Sequence, residues 1–211
     1  MKLQLAIDLM PLDDIKTMLQ DIVDFVDIVE IGPSLIMTHG ISIVTEIKQL
    51  YPHVTVLADL KITESGKYLA NIGFEAGADI ITVLDVTDDE TIEDILTLAV
   101  RYDKAVMIDL MAIEIIEQRA AQLDDMGCDY ICVPVSIDAS NRFQLPLQAL
   151  GQINRSWNYS KLAVTGDINP VSITYITPYH PDVIVVGDYI TANDNQRMAV
   201  RKINKRMASD G

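Results

Sequence analysis

Basic residues are scarce: 16 Lys and Arg stand against 31 Asp and Glu among 211 residues, a formal net charge of −15. A field of that sign repels polyphosphates, so nucleic acid is not an expected partner, and an anionic substrate needs local donors or a metal to hold it. Most of the acid is expected at the surface, where it keeps the chain dissolved. Long apolar runs are missing as well. The longest, 79–84 and 183–186, are strand-sized and far short of a bilayer helix, so no membrane association is expected. No stretch rich in Gly, Ser or Pro marks a linker, and residues 1–211 read as one domain. The amino terminus reaches Asp8 before any signal-peptide core could form, which predicts a cytoplasmic protein. Cysteine occurs twice, as Cys128 and Cys132; their spacing matches no zinc pattern, and their apolar neighbours predict buried, reduced thiols. Histidine occurs three times, at His39, His53 and His180, each in a predicted helix or loop.

What the chain does have is a steady alternation. Strand-like runs fall at 3–7, 27–31, 54–60, 79–84, 105–110, 129–133, 162–165 and 183–186, eight in all. Between them lie helix-like segments such as 12–25, 41–51 and 113–126, whose Ile, Leu, Met and Ala return every three or four positions. Thr87-Asp88-Asp89 and Pro170 are helix-start signals. Glu75-Ala76-Gly77-Ala78-Asp79 and Asp125-Met126-Gly127-Cys128-Asp129 each end a helix on glycine and enter a strand, the second like a copy of the first. Eight strand–helix alternations at a repeat of roughly 25 residues predict an α/β fold, a (β/α)8 TIM barrel. A doubly wound open sheet is the alternative; it is disfavoured because no Gly-x-Gly-x-x-Gly follows the first strand and because strands and helices match at eight each.

In such a barrel the carboxyl ends of all strands converge on one mouth, where ligands are met. The polar residues at those ends are Asp8, Glu30, Asp59 with Lys61, Asp85 and Asp109. Asp59 and Lys61 are expected on one face by the two-residue strand repeat. Each acid alone reads equally well as a helix cap or a salt-bridge partner. Together, several carboxylates around one ammonium raise each other's pKa and carry a cost unless a cation intervenes. A divalent metal follows, and oxygen-only ligands favour a hard ion, Mg²⁺ first with Mn²⁺ as the alternative.

The segments Leu-Gln-Leu-Ala-Ile-Asp-Leu (3–9), Asp-Ile-Val-Glu-Ile-Gly (27–32), Val-Leu-Ala-Asp-Leu-Lys-Ile (56–62), Glu-Ala-Gly-Ala-Asp-Ile-Ile-Thr-Val-Leu (75–84) and Gly-Cys-Asp-Tyr-Ile-Cys-Val (127–133) carry a further signal. They resemble the family of 3-hexulose-6-phosphate synthase and 3-keto-L-gulonate-6-phosphate decarboxylase, within the orotidine-monophosphate-decarboxylase superfamily. The resemblance implies a ribulose-phosphate-binding type of barrel, a homodimer, Mg²⁺, a small sugar-phosphate substrate and lyase chemistry through an enediolate, which is then protonated or attacks formaldehyde. It assigns Glu30 and Asp59 as metal ligands, Lys61 as the group that stabilises the enediolate and moves protons, and Asp8 as the residue that positions Lys61 or the substrate. Asp109 joins this catalytic group at its strand end. Glu64 stands where the family's Asp-x-Lys-x-x-Asp motif has aspartate, a residue that reaches into the partner subunit's site. It keeps the charge and lengthens the arm by one methylene.

Three departures stand against the likeness. The sixth strand of these enzymes commonly ends Val-His, the histidine carrying a proton; here it ends Val133-Pro134. The turns that grip phosphate in the family are glycine-rich, whereas this chain reads Thr165-Gly166-Asp167-Ile168 and Gly187-Asp188-Tyr189-Ile190-Thr191. A carboxylate about 4 Å from a dianion repels it by about 4 kcal/mol per unit charge at an effective dielectric of about 20. Thr165, Gly166, Gly187 and Asp188 are nevertheless the substrate-binding candidates, with Arg142 after the sixth strand as the nearest basic one. Three readings follow: a hexulose-phosphate-synthase-type lyase, with the decarboxylase as its sister; a non-catalytic descendant; and a lyase for an unphosphorylated or cationic substrate.

Overall fold

The computed structural model describes residues 1–110, 116–136, 145–147, 150–153 and 157–209. In chain order the strands are β1 (Lys2–Ile7), β2 (Ile28–Ile31), β3 (Thr55–Ile62), β4 (Ile80–Leu84), β5 (Ala105–Asp109), β6 (Tyr130–Ser136), β7 (Leu145–Pro146), β8 (Lys161–Gly166) and β9 (Val183–Val186). Two-residue β7 is appended to β6, and the other eight close into a ring, β1-β2-β3-β4-β5-β6-β8-β9 and back to β1, with every pairing parallel. This is the (β/α)8 barrel that the sequence predicts, with each of its eight strands at an expected run.

The helices are α1 (Leu12–Ile22), α2 (Pro33–His39), α3 (Ser42–Leu50), α4 (Gly66–Glu75), α5 (Asp89–Tyr102), α6 (Ile116–Asp125), α7 (Leu150–Ile153), α8 (Pro170–Ile176), α9 (Asp188–Thr191) and α10 (Gln196–Ser209). The expected one-to-one match with the strands does not hold. The β2–β3 connection carries two helices, because Pro33 at the head of α2 starts a helix directly after the strand, and α9 precedes α10 after β9. The predicted starts are real: the Asp88 side chain accepts the Thr91 amide at 2.9 Å, and Asn169 and Ser172 form a reciprocal cap ahead of Pro170. Gly77 and Gly127 both take the positive φ, +97° and +82°, that their helix ends require. Among the described residues no helix is long and apolar enough to cross a membrane.

Both strand faces are covered, as a parallel sheet requires. Along β1, Leu3, Leu5 and Ile7 are buried in the shell shared with the helices. The barrel interior is a second cluster, built from Ile28, Leu57, Ile80, Met107, Tyr130, Cys132, Ala163, Val183 and Val185. Cys128 and Cys132 are both buried and unbridged, and burial pushes the Cys128 thiol up to about 12.

The amino-terminal rim is held by a repeated device. Asp27, Asp79, Asp129 and Asp182 each stand one residue before β2, β4, β6 and β9, and their carboxylates accept the amides of Leu3, Val56, Val106 and Leu162 on the preceding barrel strand, at 2.8 to 2.9 Å. Their own carbonyls accept from the next strand, from Thr55, Ala105, Lys161 and Lys2. Each aspartate therefore ties three strands, and four such ties circle the barrel. Asp79 also holds Lys48 at 2.6 Å and Lys104 at 2.7 Å. A hydrogen bond to a charged group contributes about 1.5–3 kcal/mol. Asp129→Ala is therefore expected to lower the unfolding free energy by about 1.5–3 kcal/mol and Asp129→Asn, which keeps an acceptor, by less; urea titration of the two variants checks the order.

Candidate active site

The opposite rim gathers the acids. Between the pairs Ala58–Ile81 and Ile62–Val83, β3 advances four residues while β4 advances two, a bulge that contains Asp59 and Lys61. Lys61 takes a left-handed φ of +44° there, a conformation that costs a non-glycine residue about 1–2 kcal/mol. Thr82 on β4 holds it: the Lys61 amide donates to Thr82 Oγ1 at 2.9 Å, and that hydroxyl donates to Asp59 Oδ1 at 2.5 Å. The two side chains thus meet through a bulge rather than through the simple alternation expected from sequence.

The Lys61 ammonium lies 2.7 Å from Asp109 Oδ2 and 3.2 Å from Asp59 Oδ2. Burial works against its charge, but Asp109 and then Asp59 outweigh burial and hold its pKa above the ordinary lysine value. Asp109, at the end of β5, is pushed up by burial; Lys61 opposes that, and Asp59 and Asp85 add to it. Glu30, at the end of β2, accepts a hydrogen bond from Gln4 Nε2 at 2.7 Å. Burial first, and Asp59 next, raise the Glu30 carboxyl to about 8, with the Gln4 bond opposing. Asp8 follows β1 and is raised by partial burial and by Asp59, with Lys61 opposing and Asp188 adding to the rise. Its carboxylate occupies the place a side chain at position 32 would take: a Cβ on Gly32 would sit 2.0 Å from Asp8 Oδ1.

These groups line one cavity of about 450 Å³, with Gln4, Asp8, Glu30, Asp59, Lys61 and Asp109 in its polar wall and Ala6, Met107, Cys132, Pro134 and Val185 among its other residues. A second cavity, about 520 Å³, shares Ala6, Asp8, Thr165 and Val185 with the first and adds Gly166, Asp167, Asn169, Gly187, Asp188 and Tyr189. Gly166 has no room for a side chain, since a Cβ would meet the Val135 carbonyl at 2.2 Å. Among the described residues lining this second cavity none is basic.

The structure therefore brings together Asp8, Glu30, Asp59, Lys61 and Asp109 in the first cavity, and Thr165, Gly166, Gly187 and Asp188 in or beside the second. Glu64 is exposed after β3 and lines neither cavity of its own chain. Arg142 lies outside the described residues. His39, His53 and His180 lie at the end of α2, in a turn 3.8 Å from Asp24, and after a short 3₁₀ turn; none lines either of these two cavities, and Pro134 stands on the wall of the first. Gln4 and Thr82 belong to the site but are not marked by the sequence pattern. Their one signal is polarity at the middle of an apolar strand run.

Glu30 and Asp59 suit a hard divalent ion. Burial and then Asp59 raise the cost of ionising Glu30, a cost that a cation would remove, and both residues offer oxygen. Among the described residues no group of three or more His, Cys, Asp and Glu side chains forms a complete chelate, so an ion held here would draw its other ligands from water and substrate.

The sequence profile described as the orotidine 5'-phosphate decarboxylase / HUMPS family matches residues 1–203. The chain is 34% identical to 3-hexulose-6-phosphate synthase of Bacillus subtilis, over 97% of this chain and 98% of that protein. It is 36% identical to the protein of that name from Staphylococcus epidermidis over the full length of both. The crystal structure of 3-hexulose-6-phosphate synthase from Salmonella typhimurium superposes with a TM-score of 0.92 at 32% identity, covering both chains completely. That of 3-keto-L-gulonate-6-phosphate decarboxylase from Vibrio cholerae, at 22% identity and a TM-score of 0.88, shares the fold over 100% of this chain and 98% of its own. Relatives that are synthases along their whole length make the chain an enzyme, and with a matching profile, a shared barrel and an acid-and-lysine mouth, it belongs to the orotidine 5'-phosphate decarboxylase / HUMPS family.

Proposed function

We propose that the chain is a hexulose-6-phosphate-synthase-type lyase, making or breaking a carbon–carbon bond beside the carbonyl of a ketose phosphate, with ribulose 5-phosphate and formaldehyde as the condensing pair. The observation that carries this reading is the Lys61 ammonium held between Asp109 and Asp59, in one cavity with Glu30. Loss of a proton next to a ketose carbonyl leaves an enediolate whose charge sits on oxygen. A fixed ammonium facing that oxygen stabilises the transition state, because its orientation is set before reaction. Asp109 and Asp59 fix the orientation and keep Lys61 charged. Pro134 offers no proton, so proton movement falls to Lys61 and the acids in contact with it. Glu30 and Asp59 would hold Mg²⁺, or Mn²⁺, which would supply Lewis-acid stabilisation of the same oxyanion. Glu64, exposed and outside its own chain's two cavities, is assigned to the site of a partner subunit in a homodimer.

One observation favours a variant of this reading. The second cavity carries Asp8, Asp167 and Asp188 and no basic side chain among its described residues, so an uncharged polyol or a cationic tail suits it better than a phosphate dianion.

Lys61→Ala is expected to lower kcat for the ribulose 5-phosphate and formaldehyde reaction by about a hundred- to a thousandfold, the usual loss for one oxyanion donor; an unchanged rate removes the lyase reading. Calorimetric titration in Mg²⁺ with ribulose 5-phosphate and with unphosphorylated ribulose decides between the two substrates. Tighter binding of the phosphate is expected on the main reading, and tighter binding of the plain sugar transfers the chemistry to the variant.

Glu30 gives a pH test. Its carboxyl moves from 4.5 in the unfolded chain to about 8 in the metal-free fold. Below about 4.5 it is protonated in both states; between 4.5 and about 8 only the unfolded chain has released the proton. Stability of the metal-free protein is thus expected to fall as pH rises through that window, and Glu30→Gln to flatten the fall. Mg²⁺ is expected to raise the melting midpoint more at the upper end of the window than at the lower, because the ion binds the carboxylate. Melting curves across the window, with chelator and with Mg²⁺, check both; identical slopes in wild type and Glu30→Gln would falsify the assignment.

A further inference from the structure

Gln4 is the odd residue of β1. Its neighbours Leu3 and Leu5 face the helices, and the strand alternation turns Gln4 and Ala6 toward the barrel axis. The side chain is 1% exposed, and an amide at that depth in an apolar barrel requires a reason. Half of the reason is visible. Nε2 donates to Glu30 Oε2 at 2.7 Å, across to the neighbouring strand. The other half is not: Oε1 is buried and has no hydrogen-bond partner among the described residues, and Gln4 lines the same cavity as Glu30, Asp59 and Lys61. A buried acceptor without a donor costs about 1–3 kcal/mol, so the position is poor as packing and good as half of a binding site.

We infer that Gln4 is a positioning residue of the active site: its N–H fixes the Glu30 carboxylate, while its carbonyl accepts an O–H from whatever occupies the cavity. Two O–H sources share that chemistry, a water held on a divalent ion and a hydroxyl of the sugar. The inference rests on the proposed function, which places both in this cavity. Leucine or methionine would pack the same volume with no polar cost, and neither could hold Glu30. Groups that orient a metal's ligands are commonly worth a ten- to a hundredfold in metal affinity or activity.

The test uses Gln4→Met, which keeps the length and removes both polar atoms. Mn²⁺ affinity is read by calorimetry without substrate, and KM and kcat for ribulose 5-phosphate and formaldehyde are read separately. Circular dichroism and the melting midpoint confirm the fold; Gln4→Asn, which keeps the amide but shortens its reach, takes its place if the methionine variant does not fold. The expected result is a ten- to hundredfold loss in Mn²⁺ affinity, a rise in KM of the same size, or both. Loss in Mn²⁺ affinity alone assigns the O–H to water on the ion, and a rise in KM alone assigns it to the sugar. A variant within twofold of wild type in both quantities overturns the inference. Failure of the underlying reading looks different: the wild-type protein itself then neither binds Mn²⁺ nor turns over.

Discussion

A parallel sheet closed on itself must complete its hydrogen bonding all the way round, and the four aspartates of the amino-terminal rim are where this barrel does so. Each accepts an amide from the strand before it and offers its carbonyl to the strand after it. Closure through β5–β6 and β1–β9 leaves the strands one common exit, the carboxyl-terminal rim. One end of the molecule is thereby given to stability and the other to chemistry. The acidic excess serves both ends: aspartate bonds backbone amides at the base and surrounds an ammonium at the mouth.

At the mouth the controlling fact is a mismatch of charge. Asp8, Glu30, Asp59 and Asp109 share a cavity with Lys61 as the basic side chain among its described wall. Lys61 answers Asp59 and Asp109 directly, whereas among the described residues the side chain that bonds Glu30 is the neutral amide of Gln4. Burial, and then the charge of Asp59, raise the Glu30 carboxyl, a cost that a cation in the cavity would remove. Geometry sharpens the effect. The bulge in β3 brings Asp59 and Lys61 together at the rim, and Thr82 accepts the Lys61 amide while donating to Asp59, so one threonine sustains a strained conformation.

Much of this was legible in the chain. Alternation of apolar runs with helical periodicity located all eight barrel strands, since a covered parallel strand has to be apolar on both faces. The repeated Gly-x-Asp entry into a strand was visible as a copy at 77–79 and 127–129. Its meaning as a clasp was not, because the carboxylates of Asp79 and Asp129 meet Val56 and Val106, which lie 23 residues away in sequence. The polar strand ends named the acid cluster, because topology alone sends them to one rim. Gln4 and Thr82 were not legible, as single polar residues inside apolar runs carry no pattern of their own.

Composition, period and strand-end chemistry by themselves determined that this is an eight-stranded α/β barrel with an acidic, lysine-bearing mouth. Only the tertiary structure decided how that mouth is arranged: which acid takes the ammonium, which is left to a glutamine, and that Asp167 and Asp188 border a cavity joined to the first. The physical reason is range. Burial and periodicity act between neighbours along the chain and leave their mark in the sequence. Charge pairing at the rim acts between strand ends dozens of residues apart, Lys61 and Asp109 among them, and exists only once the ring has closed.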